Sequence, residues 1–120
     1  MGQQVIAHAD IVAGGAAGIV SGASQNVCQL GLTSETGSVI FNIDGGWGGT
    51  VQFEGSASPE GILFYALAAT PIGGGSAVTS ATGNGCWQSS IVGLKAVRMR
   101  CSSYGSGTIA MTIRPSNVAP

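Results

Sequence analysis

The chain has 120 residues, enough for one domain with a real core and too few for two; 44% are hydrophobic, 21 are Gly, and only 8% are charged, against about 25% in an ordinary soluble domain. Disorder would require high charge with low hydrophobicity, and collagen would require Gly at every third position, so both are excluded. A net charge of −1 supplies no basic field for phosphates or anionic lipid, so neither nucleic acid nor membrane is expected as a partner.

The first predicted element is a strand over Gln3–Val12. It carries His8 and Asp10 two residues apart, hence on one face. With no second His and no third ligand nearby, a surface pair is expected there rather than a catalytic or metal site. The run Val12 to Gly18 is Gly-rich like a dinucleotide loop, but Ser21-Gly22 arrives too soon for the long helix such a loop must open. The apolar stretch Ile11 to Val20 is broken by Gly14, Gly15 and Gly18 and has no basic flank, so neither a signal peptide nor a spanning helix is read there. Cytosolic residence until export or release is therefore expected. The small side chains from Ala13 to Ser24 can cover little apolar area by themselves. Residues 1–25 are expected to form an arm or a strand exchanged with a neighbour, and residues 26–120 the folded domain.

Further strands are predicted near Asn26–Thr33, Ser38–Ile43, Thr50–Gly55, Ile62–Leu67, Ala77–Thr82, Cys86–Ile91, Ala96–Ser103 and Thr108–Arg114. Three of them alternate cleanly, with Val39, Phe41 and Ile43, Val51 and Phe53, and Ile109, Met111 and Ile113 on one face each. Asp44-Gly45-Gly46, Ser58 to Gly61, Gly73 to Gly75 and Asn84-Gly85 supply the residues that tight connections need. Eight or nine strands so spaced point to an all-β domain, a single antiparallel β-sandwich of jelly-roll-like type.

Between Cys86 and Cys101 two geometries compete. A direct hairpin turning at Gly93-Leu94 would set Cys86 opposite Cys101 and Trp87 opposite Arg100, and would leave Gln88 and Ser90 on the face of Val97 and Met99, where they would need buried partners. If Gly93-Leu94 instead carries the chain to the other sheet, Trp87 and Ile91 point inward from one side, and Val97, Met99 and Cys101 from the other. The crossing is favoured, with Arg98 and Arg100 outside. It sets no two of Cys28, Cys86 and Cys101 face to face, so free thiols are expected.

No constellation for catalysis emerges. Glu35, Asp44, Glu54 and Glu60 are scattered, and no Gly-x-Ser-x-Gly elbow accompanies the lone His. Trp47, Tyr65, Trp87 and Tyr104 could form a sugar-stacking platform, but core or interface packing is the commoner fate of such rings. The chain is expected to be no enzyme, with no catalytic, metal or cofactor site.

The segments Gly46 to Ser56, Asn84 to Trp87, Val92 to Arg100 and Ser106 to Thr108 resemble a β-sandwich domain common in small tailed-phage structural proteins. The resemblance spans residues 38–114 and implies a protein that binds rather than catalyses: a capsid decoration or cement protein, or a tail or fibre module. Where similar domains carry an Asp-Gly turn followed by Trp, this chain has Pro59-Glu60-Gly61 and Phe64-Tyr65, so no ligand site is carried over. The decoration role implies location in the virion, a homotrimer, and the major capsid protein or another virion protein as partner. Val5, Ile11, Ile19, Trp47 and Trp87 are then the expected contact residues. The alternative is a tail module that binds a host carbohydrate or receptor, and a bacterial surface or secreted domain is a third reading.

Overall fold

The computed structural model describes residues 27–32, 36–58 and 63–116 fully and residues 7–11 as backbone. Among the described residues there are ten strands: β1 (Ala7–Ile11), β2 (Val27–Gly31), β3 (Ser38–Asp44), β4 (Trp47–Ser56), β5 (Tyr65–Ala66), β6 (Thr70–Pro71), β7 (Ser80–Ala81), β8 (Gly85–Ser90), β9 (Ala96–Gly107) and β10 (Ile109–Ser116). They build two antiparallel sheets, ordered β1-β10-β3-β8-β6 and β2-β9-β4-β5, with β7 also paired to β4. The pairing is nested: β4 with β5, β3 with β8, β2 with β9, β1 with β10, and each sheet is completed where β10 meets β3 in one and β9 meets β4 in the other. A long hairpin rolled up on itself gives this order, so the sandwich is a jelly roll.

The alternating side chains fill the space between the sheets. Val39, Phe41 and Ile43 from β3, Val51 and Phe53 from β4, and Ile109, Met111 and Ile113 from β10 are all fully buried, as their period of two predicts. Phe41 and Phe53 stack across the two layers with centroids 4.9 Å apart, and Trp87 tilts against Phe53 at 5.2 Å. Fully burying one such ring stabilises the fold by about 1.5–3 kcal/mol.

After β8 the chain crosses to the other sheet, as favoured, because β8 pairs with β3 and β9 with β4. Trp87, Ile91, Val97, Met99 and Cys101 all point inward. Gly93, at φ 90°, forms the turn, closed by Leu94 N–H donating to Ile91 C=O at 3.0 Å. The crossing is anchored to both layers, since Ile91 N–H bonds Gly37 C=O and Lys95 N–H bonds Ser56 C=O. Cys28, Cys86 and Cys101 are free thiols.

Two departures from the predicted elements have physical reasons. β4 begins at Trp47 and β9 runs on from Tyr104 to Gly107, beyond the predicted strands Thr50–Gly55 and Ala96–Ser103, because the missing side chains of Gly48, Gly49, Gly105 and Gly107 let the two backbones approach; the ladder slips between Gly48 and Gly49 and between Thr50 and Val51. β6 lies outside the predicted strands; it is an edge strand, where Pro71 is tolerated. β1 lies within the predicted strand Gln3–Val12 and pairs with β10 of its own chain along five registered residues, while the rest of the segment 1–25 lies outside the described residues.

The turn after β9 makes a stringent demand on its glycine. Gly107 has φ 79°, and a Cβ there would run into the Gly46 carbonyl oxygen, whereas Gly74, at φ 102°, has nothing nearby. Replacement of Gly74 by Ala should cost about 1–2 kcal/mol of backbone strain alone, and Gly107→Ala about 3 kcal/mol or more because the β3–β4 turn must also move. Urea denaturation of both variants should give that order.

Candidate functional site

Of the side chains expected at contacts, the structure describes those of Trp47 and Trp87. Trp87 is only 8% exposed and belongs to the core. Trp47 is half-buried against that core at the opening of β4, and its Nε1–H donates to Asn84 Oδ1 at 2.7 Å, while Asn84 Nδ2 donates to Gly45 C=O. Val5 and Ile19 lie outside the described residues, and Ile11 is placed only through its backbone, opposite Ile109. In the same ladder His8 pairs with Thr112 and Asp10 with Ala110.

The four rings considered as a platform are likewise dispersed. Tyr104 is half-buried and donates its hydroxyl hydrogen to Gly107 C=O at 2.6 Å, near Trp47. Tyr65 pairs with Gly55 at the far end of β4 and is 72% exposed.

Exposed apolar side chains gather at that far end. β5 is two residues long, so its sheet stops early and leaves the inter-sheet space open. Gly55 brings no side chain to fill the opening, and Leu94 from the crossing lies over it, close enough that an added Cβ would meet its Cδ1 at 2.8 Å. The result is a groove of about 380 Å³ between Leu63, Tyr65, Leu67 and Leu94, with Ser58 at its margin. Leu63, 59% exposed, and Tyr65, 72% exposed, both line it, so the exposed apolar surface here is contiguous. A concave apolar surface with few polar groups binds apolar groups by excluding water. In the sequence, Leu63 and Leu94 are apolar whether buried or exposed, and the signal for the groove is Gly55, which ends the alternation of Val51 and Phe53 without a side chain.

Beside the groove, on the outer face, Glu54 stands between two arginines. Arg98 Nε donates to Glu54 Oε1 at 2.7 Å, and Arg100 bonds through Nε and through Nη2, the latter at 2.9 Å to Oε2. The Arg98 guanidinium carbon lies 4.0 Å from the centre of the Phe64 ring. Burial alone would raise the Glu54 pKa, but the hydrogen bonds and charges of Arg100 and Arg98 outweigh it and hold the carboxyl below its usual range. Asp44, another of the scattered carboxylates, accepts from Asn42 Nδ2 at 2.7 Å, and Glu35 and Glu60 fall outside the described residues.

Two solution properties follow. A carboxylate whose folded pKa is depressed stabilises the protein above its unfolded pKa, about 4.3, and that contribution fades as pH falls through the folded value. Glu54→Gln should therefore cost about 1–3 kcal/mol at neutral pH and flatten the acid limb of a stability-versus-pH curve. Burial pushes the Cys28 thiol up to about 12 and raises Cys101, while Cys86, half-exposed, is raised by burial and by Asp44. Thiolate being the reactive form, a disulfide reagent at mildly alkaline pH should label Cys86 slowly, and Cys28 and Cys101 only after unfolding.

No protein-family model matches the chain, and no curated protein matches it. Among solved structures, it is similar to the crystal structure of the SPBc2 prophage-derived protein YomS, with 15% sequence identity, a TM-score of 0.64, and coverage of 97% of this chain and 99% of that one. At that identity the likeness carries the fold: both chains share one sandwich over nearly their full lengths.

Proposed function

We propose that this chain is a non-enzymatic structural protein of a phage particle, a capsid decoration or cement protein that binds the coat lattice as an oligomer. The observation that carries the reading is the whole-length match of its jelly roll to a prophage-derived protein. Sparse charge supports it, because a surface with four Lys/Arg and five Asp/Glu suits contact with other subunits better than free diffusion. So does the groove at Leu63, Tyr65 and Leu94, which offers a partner an apolar seat. In this role the protein adds buried interface to the shell and lowers the free energy of the assembled state by mass action. The major capsid protein is the natural partner, a homotrimer suits three-fold joints of a lattice, and the virion is the location.

A tail or fibre module that binds a host glycan is the second reading. Tyr65 supports it as the exposed ring, while Trp47 and Tyr104 are tied down by hydrogen bonds and Trp87 is in the core. Peptide counts from purified particles separate the two. Copy number on the scale of the coat subunits is expected, and a few copies per particle would favour the tail. In co-sedimentation with particles lacking the protein, Leu63→Ser and Tyr65→Ala should each weaken binding by about tenfold or more with thermal unfolding nearly unchanged. Unchanged binding in both would remove the groove from the contact.

A further inference from the structure

The outer face of the sheet β1-β10-β3-β8-β6 carries its charges at two opposite ends. Between the buried side chains of β3 stand Ile40, Asn42 and Asp44, between those of β10 stand Ala110, Thr112 and Arg114, and on β8 Cys86 and Gln88 alternate with Trp87 and Ser89. The registers stack these outward residues in three rows: Arg114 beside Ile40 and Gln88, Thr112 beside Asn42 and Cys86, and Ala110 beside Asp44. Arg114 and Asp44 are exposed, whereas the six uncharged side chains are half-buried. Among the described residues Arg114 has no hydrogen-bond or ion-pair partner. Asp44 accepts from Asn42 Nδ2 at 2.7 Å. Asp10 of β1 is the ladder partner of Ala110 on its other side, so Ala110 has an acidic residue on each neighbouring strand of its row. Glu54, Lys95, Arg98 and Arg100 belong to the other sheet and the crossing, and Glu35 and Glu60 lie outside the described residues.

This order of charge is self-complementary. The row of Arg114 and the row of Ala110 and Asp44 lie four residues apart, about 13 Å, with the row of Thr112 midway. A second copy turned over about an axis along that middle row lays its Arg114 over Ala110, with the strands of Asp10 and Asp44 about 4.8 Å to either side, and symmetry repeats the contact. A two-fold axis along the strands would instead set Arg114 against Arg114, so charge selects one orientation. The middle row holds no Lys, Arg, Asp or Glu that would have to give up its water.

We infer that the outer face of this sheet is an interface between two copies of the chain, packed face to face about that axis, with Arg114 of each meeting Asp44 of the other. The contact does not depend on the decoration reading, because the groove is lined from the other sheet and the crossing and stays outside it. Five strands about 4.8 Å apart and about 20 Å long give a face of about 500 Å² per copy, at the low end for a specific contact, so the dimer is reversible and micromolar.

Sedimentation of the full chain over a concentration series reads the association directly. Arg114→Glu and Asp44→Arg should each weaken the dimer by about tenfold or more with thermal unfolding nearly unchanged. Their equimolar mixture, in which the new carboxylate faces the new guanidinium, should associate about threefold or more tightly than either variant alone. Glu35→Gln and Glu60→Gln should dimerise as the unaltered chain does. A second readout dispenses with Asp44→Arg, should that change disturb the β3–β4 turn. The middle row lies on the axis, so Cys86 stands opposite Cys86 of the second copy across sheets about 10 Å apart. A bifunctional thiol reagent of about that span should link the two in the unaltered chain and not in Arg114→Glu. A chain that is monomeric at millimolar concentration or trimeric, undiminished association or cross-linking in Arg114→Glu, a mixture no tighter than its components, or loss of the dimer in Glu35→Gln or Glu60→Gln would overturn the inference.

Discussion

Phe53 sits where the two sheets meet, stacked on Phe41 from the opposite layer and flanked by Trp87. That contact constrains everything around it. Phe41 and Trp87 are cross-strand partners in one ladder, and Phe53 and Met99 in the other, so the rings meet only if both registers are right. A slip of one residue in either ladder would turn each alternating side chain to the wrong face. The register of β4 against β9 also sets Glu54 opposite Arg98 on the outer surface, so the polar cluster beside the groove is a by-product of how the core is packed.

Much of this was legible in the residues. The alternation in β3, β4 and β10 needs nothing beyond a period of two, and the decision between hairpin and crossing at Gly93-Leu94 followed from asking where Gln88 and Ser90 would find partners. The crossing matters most, because it turns a set of hairpins into a jelly roll. Less visible were the glycine-mediated extensions of β4 and β9, since the composition that signals a loop is the same that permits two backbones to run close together.

The groove lay beyond reach for another reason. Leu63, Leu67 and Leu94 are apolar in sequence whether they end in a core or at its open margin, and which it is depends on β5 stopping after two residues. Aromatic identity misleads in the same way: Trp87 and Tyr65 are both large rings, yet a three-dimensional neighbourhood makes one the centre of the core and leaves the other in solvent. Local pattern reports which face a residue occupies; it does not report where a sheet ends.

The brevity of β5 and β6 has a consequence for crowding. A chain with so few charges has little electrostatic repulsion to keep copies apart, and open strand edges are the usual route from close approach to irreversible fibrillar stacking. On the flank where the two sheets end in β5 and β7 and in β6, each edge strand is only two residues long, too short a template for another chain to zip onto. Close approach along that flank therefore gives backbones little to fuse into a continuous sheet.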